Sequence, residues 1–204
     1  IVESRIMPCE LWKSLSQLEG IVKSIDIKYR KKFHIINLIS MSAEMCDIFS
    51  SRREGVKAIL SLFENKGFIN HIYSKDNRIL KFQGFKKYLS LASTNWMAIP
   101  DYLKNMDKNI IAIDIGSTTT DIVLIKNHIC INKRHDDYSG LNTKELLYTG
   151  VLRTPIYSVI KTLNLNKRVY NVIPENFATM SDVYRLLSII QKKSDYTNTA
   201  DGRL

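Results

Sequence analysis

The chain has 204 residues, 45% of them hydrophobic and 25% charged, with a net charge of +10. This composition excludes a disordered or fibrous chain, and the length suits one large domain or two small ones. No apolar stretch is long and uninterrupted enough to span a bilayer, and no charged leader precedes an apolar run, so neither a membrane partner nor a signal peptide is expected. Cys9, Cys46 and Cys130 are far apart and odd in number, which gives neither a disulfide framework nor a metal spacing; a reducing cytoplasm fits. The positive charge reads either as a nucleic-acid surface or as compositional drift in a chain rich in Lys, Ile and Asn. Its basic residues are scattered, and no zinc, helix-turn-helix or RNP-type pattern accompanies them, which favours drift.

Apolar residues Leu11, Leu15, Leu18, Val22 and Ile25 recur at helical spacing, so 11–25 is expected to be a helix. The β-branched run 33–39 reads as a buried strand, and 44–63 as a helix stopped by Gly67. Residues 68–73 read as a strand, 75–78 as a turn and 79–82 as its hairpin partner. A helix is expected over 85–96, with Pro100-Asp101 opening another. The apolar run 109–115 predicts a strand covered on both faces. Strands at 121–125 and 129–131 follow, then a polar loop over 132–142. Residues 156–163 read as a helix, 169–173 as a strand and 180–191 as a helix capped by Ser181, before a mobile tail over 194–204. This alternation argues for an α/β class, with a boundary in the polar stretch 104–109.

The most informative segment is Asp114-Ile115-Gly116-Ser117-Thr118-Thr119-Thr120-Asp121. Gly116 permits a tight turn and a close approach of backbone to ligand. Successive N–H groups in such a turn can form an anion-binding concavity. Ser117, Thr118, Thr119 and Thr120 add hydroxyls suited to phosphate oxygens, and Asp114 and Asp121 are hard oxygen ligands for Mg²⁺. The bland alternative is a hydroxyl-rich turn between two strands. Four hydroxyls between two acids favour phosphate binding. The Gly-Lys-Thr ending of a Walker loop and the glycines of a dinucleotide fingerprint are both missing.

The octapeptide resembles the phosphate-2 hairpin of the actin, hsp70 and sugar-kinase superfamily. More narrowly the chain resembles the hydantoinase/oxoprolinase family, in its branch of tetrahydromethanopterin-linked C1-transfer pathway proteins. The likeness is carried by residues 41–49 with 53–56, 92–96, the hairpin, 145–155, 176–187 and 200–203. The string Tyr148-Thr149-Gly150-Val151-Leu152-Arg153-Thr154-Pro155 is the most specific of these.

The resemblance implies a partial ribonuclease-H-like fold: a mixed sheet with flanking helices. Residues 1–108 would be the remainder of a first domain, and 109–204 the start of a second with a helical insertion. It implies a first phosphate hairpin upstream of Ile1 and continuation past Leu204, so the chain reads as a fragment. It places Gly140 and Lys144 where relatives carry an Arg and a Gly. The implied activity is a transferase joining an aminomethylfuran-methyl diphosphate to the phenol of γ-glutamyltyramine, with Mg²⁺ as cofactor and pyrophosphate released. The partners are thus a small-molecule diphosphate and a phenolic amine, with oligomerisation left open. Rival expectations are an ATP-dependent kinase or hydrolase, and a non-catalytic, partner-completed subunit.

Other residues carry two readings. Glu44 and Asp47 lie three apart at an expected helix start, and read equally as a functional carboxylate pair or as helix-dipole partners. The resemblance favours function, with Glu44 as acceptor of the phenol proton. Asn95 and Trp96 read as a wall for an aromatic substrate or as a core anchor. Tyr148, Thr149, Arg153 and Thr154 are expected to bind substrate, Arg153 as a bidentate clamp on diphosphate. The four histidines have no ligand spacing.

Overall fold

A computed structural model describes residues 3–64, 68–75 and 78–191. The chain divides into two compact units, Ile1–Leu103 and Lys104–Leu204, both mixed α/β.

The first unit runs α1 (Ser16–Tyr29), β1 (Ile36–Ile39), α2 (Arg52–Ser61), β2 (Ile69–Ser74), β3 (Arg78–Lys81) and, after two 3-10 turns, α3 (Ala98–Leu103). β1 lies parallel to β2, with Ile36 opposite Ile69, and β3 returns antiparallel to β2. Parallel neighbours need a crossover, and α2 supplies it. Val56, Ile59 and Leu60 lie at i, i+3 and i+4 on one face of α2, and pack with Ile39, Met41, Ile72, Phe82 and Leu91 to form the core. Before α1, Glu3 is held by Lys28 at 2.9 Å and by Tyr29. The Lys28 ammonium, the Tyr29 hydroxyl and Arg5 pull the Glu3 carboxyl from 4.5 down to about 2.

Two expected helices are shorter or absent. The helix expected from Glu44 begins only at Arg52. Ser51 is its N-cap, extended at φ −158°, and its side chain accepts from the Glu54 N–H. Residues 44–50 are irregular, and Gly67, the expected stop, lies outside the described residues. The helix expected over 85–96 is instead two 3-10 turns, Tyr88–Leu91 and Asn95–Met97. Ser93 between them sits at φ +48°, a left-handed conformation that no helix continues through.

The second unit runs β4 (Asn109–Ile115), β5 (Thr120–Lys126), β6 (Ile129–Cys130), α4 (Asp137–Thr143), β7 (Leu146–Leu147), α5 (Ile156–Val159), β8 (Thr162–Leu165), β9 (Arg168–Asn171) and α6 (Met180–Leu186). β4 and β5 form a long hairpin, with Asp114 opposite Asp121. β5 also pairs with β6 and β7.

β4 is not covered on both faces. Ile111, Ile113 and Ile115 are exposed, Ile111 at 73%. The polar stretch after β6 hides α4, whose capping box joins Asp136 and Ser139. Its C-cap, Lys144, is left-handed at φ +60°, a position that glycine fills most easily. The helix expected over 156–163 stops at Val159, because Thr162–Leu165 pairs with Arg168–Asn171 across Asn166 and Lys167. Both turn residues have positive φ, as a two-residue hairpin turn requires. Thr179, not Ser181, caps α6, which ends at Leu186. The tail expected to be mobile, 194–204, lies outside the described residues. Among the described residues no cysteine forms a disulfide, and all three are half-buried. Among the described residues no helix is long and apolar enough to cross a membrane.

Candidate functional site

The hairpin turn, residues 116–119, closes with the Gly116 N–H donating to the Thr119 carbonyl at 2.8 Å. A strap from residues 149–154 lies directly on it. The Val151 N–H donates to the Gly116 carbonyl at 3.0 Å. The N–H groups of Leu152 and Arg153 donate to the Ser117 carbonyl at 3.1 and 2.9 Å. Thr120 Oγ1 donates to the Thr149 carbonyl at 2.6 Å. Gly150 permits this approach: a Cβ there would stand 2.6 Å from Ser117 C and Thr118 N, and 2.7 Å from Gly116 O. Thr154, buried, braces the strap by accepting from the Gly150 N–H at 2.6 Å and donating to the Gly150 carbonyl at 3.1 Å. The strap is pinned from behind by the Met180 N–H on the Thr154 carbonyl and the Ser181 N–H on the Leu152 carbonyl.

Backbone polar groups must all be accounted for. The strap occupies the turn's outward carbonyls. The N–H groups of Ser117, Thr118 and Thr119 have no protein acceptor among the described residues. Ser117 is exposed, Thr118 and Thr119 are half-buried, and the Ser117 and Thr118 hydroxyls lie 3.5 Å apart. Three successive free amides with hydroxyls beside them match an anion.

The two acids differ. Asp114 is exposed, whereas Asp121 is buried and its Oδ1 is held by Arg134. Like charges directly opposite on a hairpin repel, and Arg134 supplies the compensating charge. Arg134 is itself buried and reaches Asp137 Oδ1 at 3.0 Å. Glu145 fixes it in place: its carboxylate accepts from the N–H groups of Lys133 at 2.9 Å and Arg134 at 2.7 Å. Gly140 gives the Arg134 side chain room, since a Cβ there would stand 2.8 Å from its Cδ.

Mg²⁺ is commonly held by one or two carboxylates with ligand phosphates and water. Asp114 beside the free amides fits that pattern, and Asp121 has only Oδ2 to offer. Among the described residues no group of three or more His, Cys, Asp or Glu side chains is arranged around a metal position. A divalent ion would therefore take its remaining ligands from phosphate and water.

Of the strap residues expected to bind substrate, Tyr148, Thr149 and Arg153 are exposed and Thr154 is an internal brace. Glu44, Asp47, Asn95 and Trp96 belong to the other unit. Glu44 and Asp47 do not act as a pair there: Asp47 is exposed, and Glu44 is fully buried. Glu44 Oε1 accepts from Arg52 at 3.1 Å and from the Ser93 hydroxyl at 3.0 Å, while Oε2 is buried with no hydrogen bond among the described residues. Nor is Glu44 a helix-dipole partner, since α2 starts eight residues later. Gly55 of α2 packs against its carbonyl. Trp96 is buried and Asn95 exposed. Arg134, Glu145, Gly150, Arg52 and Ser93 complete these arrangements, and none was among the expected site residues. Ser93, Glu145 and Gly150 lie inside segments that carry the family likeness, which is the signal that could have found them.

The hydantoinase/oxoprolinase family model matches residues 37–204. The chain belongs to the hydantoinase/oxoprolinase family. It is 31% identical over 197 residues to "(4-{4-[2-(gamma-L-glutamylamino)ethyl]phenoxymethyl}furan-2-yl)methanamine synthase" of Methanocaldococcus jannaschii, covering 94% of this chain and 57% of that protein. A protein of the same name from Methanococcus vannielii is 37% identical over 101 residues, covering 49% of this chain and 45% of the other. The chain thus spans about half the length of these relatives. The family assignment places the hairpin, the strap and the Glu44 cluster all inside the matched region.

Proposed function

We propose that the chain contributes the polyphosphate-binding hairpin of an ether-forming transferase of methanofuran biosynthesis. In this reading the enzyme joins an aminomethylfuran-methyl diphosphate to the phenol of γ-glutamyltyramine. The observation that supports it best is the accounting at the turn: the carbonyls of Gly116 and Ser117 are taken by the strap, and three successive N–H groups are left for an anion. The relatives' name, with its phenoxymethylfuran ether, supplies the product class.

The phenol oxygen forms a bond to the furan methylene carbon as the bond from that carbon to the diphosphate oxygen breaks. The electron pair leaves with pyrophosphate. The Ser117, Thr118 and Thr119 amides lie where a leaving diphosphate gains charge, and donors fixed in advance favour that step. Asp114 would hold Mg²⁺, which when bound neutralises phosphate charge. Arg153, exposed on the strap, would clamp the diphosphate. The phenol proton passes to water or to Glu44, whose Oε2 must be uncovered to receive it. The same reading takes the fold as partial ribonuclease-H-like, with the domains meeting at 108–109, and the setting as cytoplasmic.

Incubation with the furan diphosphate, γ-glutamyltyramine and Mg²⁺ tests this. The expected result is equimolar ether and pyrophosphate, with Asp114→Asn lowering turnover about a hundredfold or more. Phosphate release from ATP without ether would instead favour the kinase or hydrolase reading. No turnover of either would favour a non-catalytic subunit.

A further inference from the structure

The first unit carries a concentration of positive charge, remote in sequence from the hairpin. A cavity of about 360 Å³ is lined by Arg53, Lys86, Lys87, Tyr88, Leu89 and Ser90. Three of the six are cations and none is an acid. Arg53, Lys86 and Lys87 are exposed, and none makes an ion pair or side-chain hydrogen bond among the described residues. The contrast with Arg52 is informative. Arg52 turns inward to Glu44 and Ser93, whereas Arg53, the next residue, faces the cavity.

Like charges gathered without a counter-ion repel, and a bound anion removes that repulsion. Arg53 also stands in the first turn of α2, whose dipole adds to the positive field there. Tyr88 and Leu89 provide an apolar wall, Leu89 being 56% exposed. The volume exceeds what a lone phosphate fills, so this open cavity has room for a phosphate or diphosphate group and the body that carries it. The walls are fixed by backbone contacts: the Lys75 N–H donates to the Ser90 carbonyl at 2.8 Å, and the Ser90 N–H to the Lys87 carbonyl at 3.0 Å.

We propose that Arg53, Lys86 and Lys87 form a second anion site, in the first unit, for a phosphorylated small molecule. It is independent of the hairpin, and its test separates the two. Lysine acetylation is followed by mass spectrometry, in EDTA, with inorganic pyrophosphate as the probe and phenyl phosphate as a second probe. Lys86 and Lys87 are expected to be protected at least about fivefold while Lys23 is not, with phenyl phosphate protecting as well. Arg53→Gln should weaken protection about tenfold, as loss of one charge-assisted contact does, and Asp114→Asn should leave it unchanged. Absence of protection overturns the proposal, as does equal protection in Arg53→Gln. Loss of protection in Asp114→Asn would mean that the anion sits at the hairpin. A single-stranded oligonucleotide that protects lysines broadly, where pyrophosphate protects none, would mean a nucleic-acid surface instead.

Discussion

At the scale of single residues, the two acids of the hairpin have been given different work. Asp114 and Asp121 are symmetric in the sequence, each at one end of the same octapeptide. The fold breaks the symmetry by bringing Arg134, thirteen residues further on, against Asp121. Removing one member of a buried ion pair strands the other, at a cost of about 3–5 kcal/mol. Arg134→Met should therefore lower unfolding free energy by about that amount in urea titration, while Asp114→Asn should change it by less than about 0.5 kcal/mol. Equal losses would contradict the division of roles. The sequence revealed that two acids flank a turn. It did not reveal which is free, because the partner that decides this comes from a loop whose capping box, Asp136 to Ser139, passes for ordinary polar sequence.

At the scale of elements, the strands β4 and β5 were legible because their apolar runs are long and the turn between them holds the glycine. The helices read less well. Glu44–Ser51 has helical spacing, yet the Ser51 cap and the contact of Gly55 with the Glu44 carbonyl start the helix at Arg52. β8 was hidden because its turn, Asn166-Lys167, lacks glycine. The strap on the hairpin depends on Gly150 having no side chain. Gly150→Ala puts a Cβ against backbone atoms, which cannot swing aside as a side chain would. It should cost about 2–4 kcal/mol and speed amide exchange at Val151, Leu152 and Arg153 in hydrogen-exchange measurements. Unchanged exchange there would contradict the strap. The tether of Glu3 to α1 carries a pH dependence. Its folded carboxyl is lowered to about 2, so its contribution is present above 4.5 and lost as pH falls from there toward 2. Glu3→Gln should lower Tm at pH 6 and by clearly less at pH 2; an equal drop at both would rule the tether out.

For the whole molecule, two mixed α/β units carry the candidate residues in two separate groups. Nothing in periodicity assigns Glu44, Asn95 and Trp96 to one unit and the hairpin to the other, since the family likeness runs through both. The open face of β4 is the other whole-molecule feature. Ile111, Ile113 and Ile115 are exposed on one face, and Ile122 and Leu124 stand opposite them in register. Among the described residues β4 pairs only with β5. Apolar faces beside an unpaired strand edge promote association. Because neither side chain is buried, Ile111→Lys with Ile113→Lys should change unfolding free energy by less than about 1 kcal/mol in urea titration; a loss of several kcal/mol would contradict the open face.

The central claim concerns three amides. A nitrogen–proton NMR titration with pyrophosphate and Mg²⁺ addresses them directly. The account predicts that Ser117, Thr118 and Thr119 shift downfield together with one affinity, and that Asp114→Asn weakens that affinity at least about tenfold. Signals of all three that stay in place at saturating pyrophosphate would contradict it.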